Sequence, residues 1–213
     1  GTTIILVTHH RDEFVNADRI IRLDNGRIVQ SARGNTASIP EMDESGTAQE
    51  DNPIAKSNIA NGASKPTSAV PIIEIHNLIY QYPNSSKPVL DKLSITINEG
   101  ETVAITGHNG AGKTTLARLL CALEQPQSGS ITVNTIPVAR QRANGNMQSL
   151  KRADREKLRA TIGYVMQHPE RQLFAETVAE DVAYGPRNQR LDEAQVDEHV
   201  SQAMALLHIE HLA

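Results

Sequence analysis

Aromatic side chains and cysteine are scarce in this sequence of 213 residues. Only 3% of the residues are aromatic, none is tryptophan, and Cys121 is the single cysteine. Because 38% of the residues are hydrophobic, a core is possible, but it must be aliphatic. One cysteine excludes an internal disulfide framework and favours a reducing, cytoplasmic setting. Its place in a leucine-rich segment predicts a buried thiol.

Long apolar runs and an excess of positive charge are also missing. Apolar runs such as residues 4–7 fall far short of the roughly 20 residues that cross a bilayer. The net charge of −4 argues against a nucleic-acid binder that works by neutralising phosphates. Residues 140–159 are an exception, with seven Lys or Arg against Asp154 and Glu156. They predict a solvated helix face or, alternatively, a contact with a partner or with lipid headgroups.

Glycine, by contrast, is concentrated in one informative place. Residues 107–114 read GHNGAGKT and fit the phosphate-binding pattern of Gly, four free positions and Gly-Lys-Thr. Glycines let successive backbone N–H groups point at phosphate oxygens. Lys113 adds a point charge for the terminal phosphates, and Thr114 adds a hydroxyl for Mg²⁺. The predicted nucleotide-binding residues here are Gly107, Asn109, Gly110, Ala111, Gly112, Lys113, Thr114 and Thr115.

The surroundings of this loop fit the same interpretation. Residues 102–105 are β-branched or small and predict a buried strand before the loop. A helix is predicted after it, because leucines recur on one helical face at 116, 119, 120 and 123. A strand that enters and a helix that leaves put the helix N-terminus behind the phosphates. The alternative is a plain glycine turn between strand and helix.

The first thirty residues predict a small α/β unit. Residues 2–8 predict a buried strand, and residues 12–14 suggest a short helix. The strand predicted at residues 20–23 meets the turn Asp24-Asn25-Gly26 and returns as a hairpin through residues 27–29. We expect this unit to end near Gln30.

The composition then changes abruptly. Residues 31–70 are rich in Ser, Thr, Asn, Gly, Pro and acidic side chains, with few large apolar ones. Such a segment cannot bury enough surface to offset its ordering entropy. It is also too long for an ordinary loop within one domain, so we expect a disordered linker.

A second folded region is expected from residue 71 to residue 213. Alternating apolar residues predict strands at 72–79 and 93–97, and residues 129–133 predict an edge strand. Residues 142–149 are polar and predict a surface excursion. A basic helix then leads to a further strand predicted at residues 162–166.

Two helices are expected after that strand. Thr177 and Glu180 have the spacing of a capping box, and Gly185-Pro186 should end this helix early. The final helix should open at Asp192. One face of this helix is predicted to carry Val196, Val200, Met204 and Leu207.

Together these motifs resemble the ATP-binding-cassette (ABC) ATPases. Residues 72–213 are similar to the first half or more of such a domain, with Tyr82 matching the adenine-stacking aromatic and Gln167 the glutamine-loop residue. Residues 2–30 resemble the tail of another copy, in which His9 matches the switch histidine before the closing hairpin. The resemblance implies an α/β fold: a P-loop NTPase (RecA-like) core with an antiparallel β subdomain, incomplete in this chain.

A narrower resemblance lies in the second region. Residues 166–170 together with residues 178–186 are similar to the ATPases of energy-coupling-factor (ECF) transporters, which import vitamins or transition-metal ions. The order of tail, linker and head implies the middle of a tandem protein with two cassettes. The implied divisions are a first-cassette tail at 1–30, a linker at 31–70, and a second-cassette head at 71–213. The Leu-Ser-Gly-Gly-Gln signature and the Walker B strand with its catalytic glutamate do not occur in the sequence.

The resemblance also implies roles for individual residues. ATP would stack on Tyr82, Mg²⁺ would lie between Thr114 and the phosphates, and Gln167 would approach the metal and the attacking water. His9 would serve the other nucleotide of a head-to-tail pair of cassettes. Alternatively, residues 2–30 could occupy the place beside the phosphate-loop strand, and His9 would then approach Lys113.

Function classes follow from these roles. The first is an ATPase that energises import, bound to a transmembrane subunit at the cytoplasmic face of the membrane. The second is an ABC protein that acts on ribosomes or DNA without a membrane subunit, and the third is a P-loop kinase. The imported solute is not specified by these residues. We expect this chain alone to bind Mg-ATP weakly and to hydrolyse it negligibly.

Overall fold

The computed structural model describes residues 1–8, 16–33 and 70–212. They divide into two units, residues 1–150 and 151–213. His9, the short helix predicted at residues 12–14 and all but the ends of the predicted linker lie outside the described residues. The strands of the first unit are β1 (Ile4–Val7), β2 (Arg19–Asp24), β3 (Arg27–Arg33), β4 (Pro71–Tyr80), β5 (Leu90–Asn98), β6 (Thr102–Thr106), β7 (Ser128–Val133), β8 (Ile136–Gln141) and β9 (Met147–Gln148), and its helix is α1 (Lys113–Leu120).

The main sheet is built around β6. Its strand order is β1-β6-β2-β3, with β6 parallel to both β1 and β2. Ile5 is opposite Val103 and Ile20 is opposite Ala104, while β3 returns antiparallel to β2. The N-terminal segment therefore occupies the places on both sides of the strand that leads into the phosphate loop. This is the alternative arrangement weighed above for residues 2–30.

An aliphatic core fills the space between this sheet and α1. Ile21, Leu23 and Ile105 are fully buried in the sheet, and Leu116 and Leu119 are buried on the helix. The predicted strand–loop–helix unit is thus confirmed, with one correction. Leu123 is exposed rather than part of the helical face, because α1 ends at Leu120 and Ala122 turns the chain with φ 54°. Cys121 is half-buried, and burial raises the pKa of its thiol.

The second sheet of this unit is antiparallel, with strand order β5-β4-β7-β8-β9. Strand β7 is not the edge strand that was expected, since it lies between β4 and β8. Asn134 and Thr135 have φ values of 45° and 67°, the left-handed conformation that a two-residue hairpin turn requires. They return the chain at once as β8, which the sequence pattern did not reveal.

Helices make up the regular structure described in the second unit. They are α2 (Arg152–Thr161), α3 (Val178–Asn188) and α4 (Glu193–Leu206), with short 3-10 turns at Pro169–Gln172 and Glu210–Leu212. The strand predicted at residues 162–166 is wrong. A strand needs a neighbour for its backbone hydrogen bonds, and the described part of this unit contains no other strand. Val165 is accordingly 76% exposed.

The ends of α3 and α4 partly follow the expected signals. The Thr177 hydroxyl accepts the backbone N–H of Glu180, and Asp192 forms a full capping box with Gln195. However, α3 continues through Gly185 and Pro186 to Asn188, so the early end predicted there is wrong. Pro186 removes only its own N–H, and the last turn is still closed because the N–H of Gln189 donates to the carbonyls of Gly185 and Pro186. Leu207 lies beyond α4 and is exposed, whereas Val196 and Met204 are buried as expected.

Within the described ranges, none of the helices is both long enough and apolar enough to cross a bilayer.

Side chains of the N-terminal segment differ in burial, and this difference predicts how their substitution changes the free energy of unfolding. Leu23 is 0% exposed on β2, whereas Val29 on β3 is 55% exposed. We expect Leu23→Ala to lower the free energy of unfolding by about 2–5 kcal/mol, because it leaves a cavity in the core. The control Val29→Ala should cost less than about 1 kcal/mol. Urea unfolding followed by circular dichroism measures both, and equal effects would show that β2 does not pack into the core.

Candidate phosphate-binding site

The loop between β6 and α1 depends on glycine for its conformation. Gly107, Gly110 and Gly112 have φ values of 145°, 85° and 100°, which side chains of L-residues rarely adopt. The N–H of Ala111 donates to the carbonyl of His108 at 3.2 Å and closes the turn. Gly112 is the N-cap of α1, and no side chain of the described residues forms a capping hydrogen bond there. The first backbone N–H groups of α1, at the positive end of the helix dipole, therefore face the loop. The loop therefore has the features of an anion site.

Lys113 places an ammonium group over this loop. Its Nζ donates to the carbonyl oxygens of Gly107 at 2.7 Å and of His108 at 3.0 Å. Burial lowers the pKa of Lys113, because the charged form loses hydration. Phosphate oxygens would compete with these carbonyls for the same donor, and a dianionic phosphate is the stronger acceptor.

The two threonines that follow point to different surroundings. Thr114 is exposed, whereas Thr115 is buried. The Thr115 hydroxyl lies 3.1 Å from the hydroxyl of Tyr82, so the structure gives it a protein partner. Thr114 is exposed next to Lys113 in the sequence, and a hydroxyl oxygen is a suitable ligand for the hard cation Mg²⁺. The residues at the loop thus fit a magnesium ion held through Thr114.

Tyr82 is brought to the loop by its hydrogen bond with Thr115. Its ring packs edge-on against Tyr80, with centroids 4.9 Å apart and an interplanar angle of 88°. Tyr80 is itself fixed, since its hydroxyl donates to Glu124 at 2.9 Å; burial and this bond raise the pKa of Tyr80 to about 12. Tyr82 remains 38% exposed, which leaves part of its ring accessible. Its adenine-stacking role stays a prediction.

The hairpin turn between β2 and β3 supports the loop from the N-terminal segment. The N–H of Gly26 donates to the carbonyl of Ala111 at 3.2 Å, and Asp24 Oδ1 lies 2.9 Å from His108 Nε2. A Cβ added to Gly107 would lie 2.3 Å from the carbonyl oxygen of Leu23. The sequence pattern predicted this turn but not its contact with the loop. No local signal could have found it, because Asp24 and His108 are 84 positions apart.

Two further site residues were predicted, His9 and Gln167. His9 is outside the described residues, although Thr8 just before it is buried and donates its N–H to the carbonyl of Ile105 at 3.2 Å. Gln167 belongs to the second unit, where it is exposed just before the Pro169–Gln172 turn. The roles assigned to His9 and Gln167 by the resemblance stay predictions.

Comparisons with known proteins identify related sequences. The family model described as "ABC transporter" matches residues 90–213. An ABC transporter ATP-binding protein of Bifidobacterium longum is 45% identical over 100% of this chain and 30% of its own length. The energy-coupling factor transporter ATP-binding protein EcfA2 of Clostridium acetobutylicum is 38% identical over 65% of this chain and 46% of its own length.

A solved structure is similar as well. It is that of cbiO1 from Clostridium perfringens, described as part of the ABC transporter complex cbiONQ. The match has a TM-score of 0.55 and 33% identity, and it covers 67% of this chain and 53% of that one. The chain spans about a third to a half of the length of these curated relatives.

The close approach of hairpin and loop predicts unequal effects of two glycine substitutions. Gly107→Ala would place a Cβ against the Leu23 carbonyl, whereas Gly110→Ala meets no atom within 4 Å. Both positions carry positive φ, so Gly110→Ala should cost about 1–2 kcal/mol from backbone strain alone. Overlap should raise the cost of Gly107→Ala to about 2–4 kcal/mol. Chemical unfolding measures both; a smaller cost at Gly107 would contradict the contact.

Proposed function

The chain belongs to the ABC transporter family of ATPases, and from that premise we propose that its phosphate loop binds Mg-ATP. The observation that carries this proposal is the arrangement of Gly107, Gly112 and Lys113. Glycines with positive φ turn the backbone of the loop, and the Lys113 ammonium donates to two of its carbonyl oxygens. A triphosphate would take over those contacts and would also meet the N-terminus of α1.

Each residue of the site has a proposed task. Lys113 neutralises the terminal phosphates, the loop N–H groups orient them, and Thr114 holds Mg²⁺ through its hydroxyl. When bound, the ion would neutralise charge on the triphosphate as its terminal phosphoryl group is transferred to water. Tyr82 supports adenine with the exposed part of its ring. Gln167 and His9 position the attacking water in a complete pair of cassettes, as the family resemblance implies.

We further propose that the parent protein is a tandem of two cassettes. The order of the motifs supports this, with the switch-histidine segment before residues 34–69 and the phosphate loop after them. The whole chain also aligns with a single longer protein from Bifidobacterium longum. In such a tandem the cassettes would meet head to tail, and each would contribute to the nucleotide site of the other.

We propose that the partner is a transmembrane transporter subunit. The protein would then energise import of a small solute, which is a vitamin or a metal ion. The similarity to EcfA2 and to cbiO1 supports a transporter at the cytoplasmic membrane face, held peripherally. The second unit offers a docking surface of exposed apolar side chains. Phe174 and Tyr184 form an edge-on pair there with centroids 4.7 Å apart, and Asp181 fixes the segment by accepting the N–H of Phe174 at 3.1 Å.

Removal of the Lys113 charge should weaken nucleotide binding. We expect Lys113→Ala to weaken Mg-ATP binding by at least about tenfold, because the charge-assisted contacts with phosphate are lost. Lys157→Ala is the matched control, since it removes the same charge from an exposed position on α2. Isothermal titration calorimetry measures both. Turnover by the isolated chain should be negligible, and a Lys113-dependent ATPase rate would contradict that part of the proposal.

Disruption of the apolar surface should release the membrane partner. We expect Phe174→Ser in the parent protein to lower recovery of a transmembrane subunit by about tenfold, as loss of a central interface side chain does. Leu206→Ser is the control, because Leu206 is also exposed but lies near the end of α4. Affinity purification from detergent-solubilised membranes measures recovery. Equal recovery with both variants would exclude this surface as the docking site.

A further inference from the structure

We propose that Asp24 is a positioning residue for the phosphate loop and acts through the side chain of His108. Asp24 ends β2 in the N-terminal segment, whereas His108 is a free position of the loop motif. The proposal rests on the proposed function, because positioning of the loop matters only if the loop binds phosphate. It assigns to the N-terminal segment a part in nucleotide binding that the loop motif alone does not contain.

The two contacts of the His108 ring define the interaction. Nε2 lies 2.9 Å from Asp24 Oδ1, and Nδ1 lies 2.7 Å from the carbonyl oxygen of Asn109. The ring thus links the Asp24 side chain to the backbone of the loop at Asn109.

The hairpin turn that carries Asp24 is held in place by contacts on both sides. Gly26 donates its N–H to Ala111 and accepts the N–H of Asp91 at 3.1 Å through its carbonyl. Arg27 Nε donates to the carboxylate of Asp91 at 2.9 Å on the other side of the turn. A Cβ on Gly26 would lie 2.2 Å from the carbonyl oxygen of Val89, so the turn is seated closely. The turn that carries Asp24 is thus hydrogen-bonded to both β5 and the loop, and this restricts the position of the Asp24 side chain that contacts His108.

His108 connects the hairpin turn to the ammonium group of Lys113. Its carbonyl oxygen accepts the Lys113 ammonium at 3.0 Å, while its ring is held by Asp24. His108 is thus hydrogen-bonded to two side chains, Asp24 from the hairpin and Lys113 from α1. Movement of the His108 backbone would change the position of the carbonyl from which Lys113 must transfer to phosphate. Asp24 limits that movement without touching the nucleotide.

The size of the effect follows from exposure. The side chains of His108 and Asp24 are 43% and 45% exposed, so water and salt screen the pair. We therefore expect Asp24→Asn to weaken Mg-ADP binding by about two- to fivefold at low salt, far less than the loss in Lys113→Ala. His108→Gln should have a similar effect. The double variant should bind no more weakly than either single variant, because both changes remove one interaction.

The experiment titrates Mg-ADP into the full chain and its variants by calorimetry. Glu99→Gln is the control, since it removes an exposed carboxylate from the turn between β5 and β6. Asp24→Glu should recover part of the affinity, because it restores the charge.

The outcomes separate the two proposals. If the wild-type chain binds Mg-ADP and Lys113→Ala does not, but Asp24→Asn binds as the wild type does, the positioning role is overturned and the nucleotide site stands. If the wild-type chain itself does not bind nucleotide, the proposed function fails and this role fails with it. Should Asp24→Asn not fold, His108→Gln carries the same test.

Discussion

Parallel hydrogen bonding on both sides of β6 is the constraint on which the rest of the first unit depends. Val103, Ala104 and Ile105 are fully buried, so the backbone N–H and C=O groups of this strand must be paired with protein. Strands β1 and β2 supply those partners, and both come from the N-terminal segment. Because β6 leads directly into the phosphate loop, the segment that precedes residue 34 fixes the start of the loop.

Local chemistry was enough to predict much of this arrangement. The glycine, lysine and threonine spacing predicted the loop, the leucine spacing predicted α1, and the Asn25-Gly26 turn predicted the hairpin, since each signal lies within a few residues. Partnership between distant segments was harder to predict. Residues 162–166 have strand-like side chains, but a strand exists only where a neighbour accepts its hydrogen bonds. The left-handed turn at Asn134 and Thr135 was missed because neither residue is glycine.

The site shows the same division between local and distant effects. The residue types that face a phosphate are visible in the sequence, because the chemistry of phosphate demands them at fixed spacing. The residues that hold the loop in place are not visible. Leu23 contributes a carbonyl oxygen and Gly26 an N–H, and neither contact depends on a recognisable side chain. Thr115 illustrates the limit, since its hydroxyl is paired with the hydroxyl of Tyr82, which follows β4 and lies outside the motif.

A comparison of free energies explains how the N-terminal segment, which is distant in sequence from β6, can pair with this strand. Doubling the length of the connection between Arg33 and Val70 would cost only about 0.6 kcal/mol in closure entropy. Burial of one large aliphatic side chain contributes about 1.5–3 kcal/mol, and Ile20, Ile21 and Leu23 are all buried on β2. The free energy gained by burying these side chains is therefore larger than the entropic cost of a longer connection. If the parent protein carries a second copy of this tail, the two copies compete for the place beside β6 through the fit of these side chains, and the length of the connection has little influence.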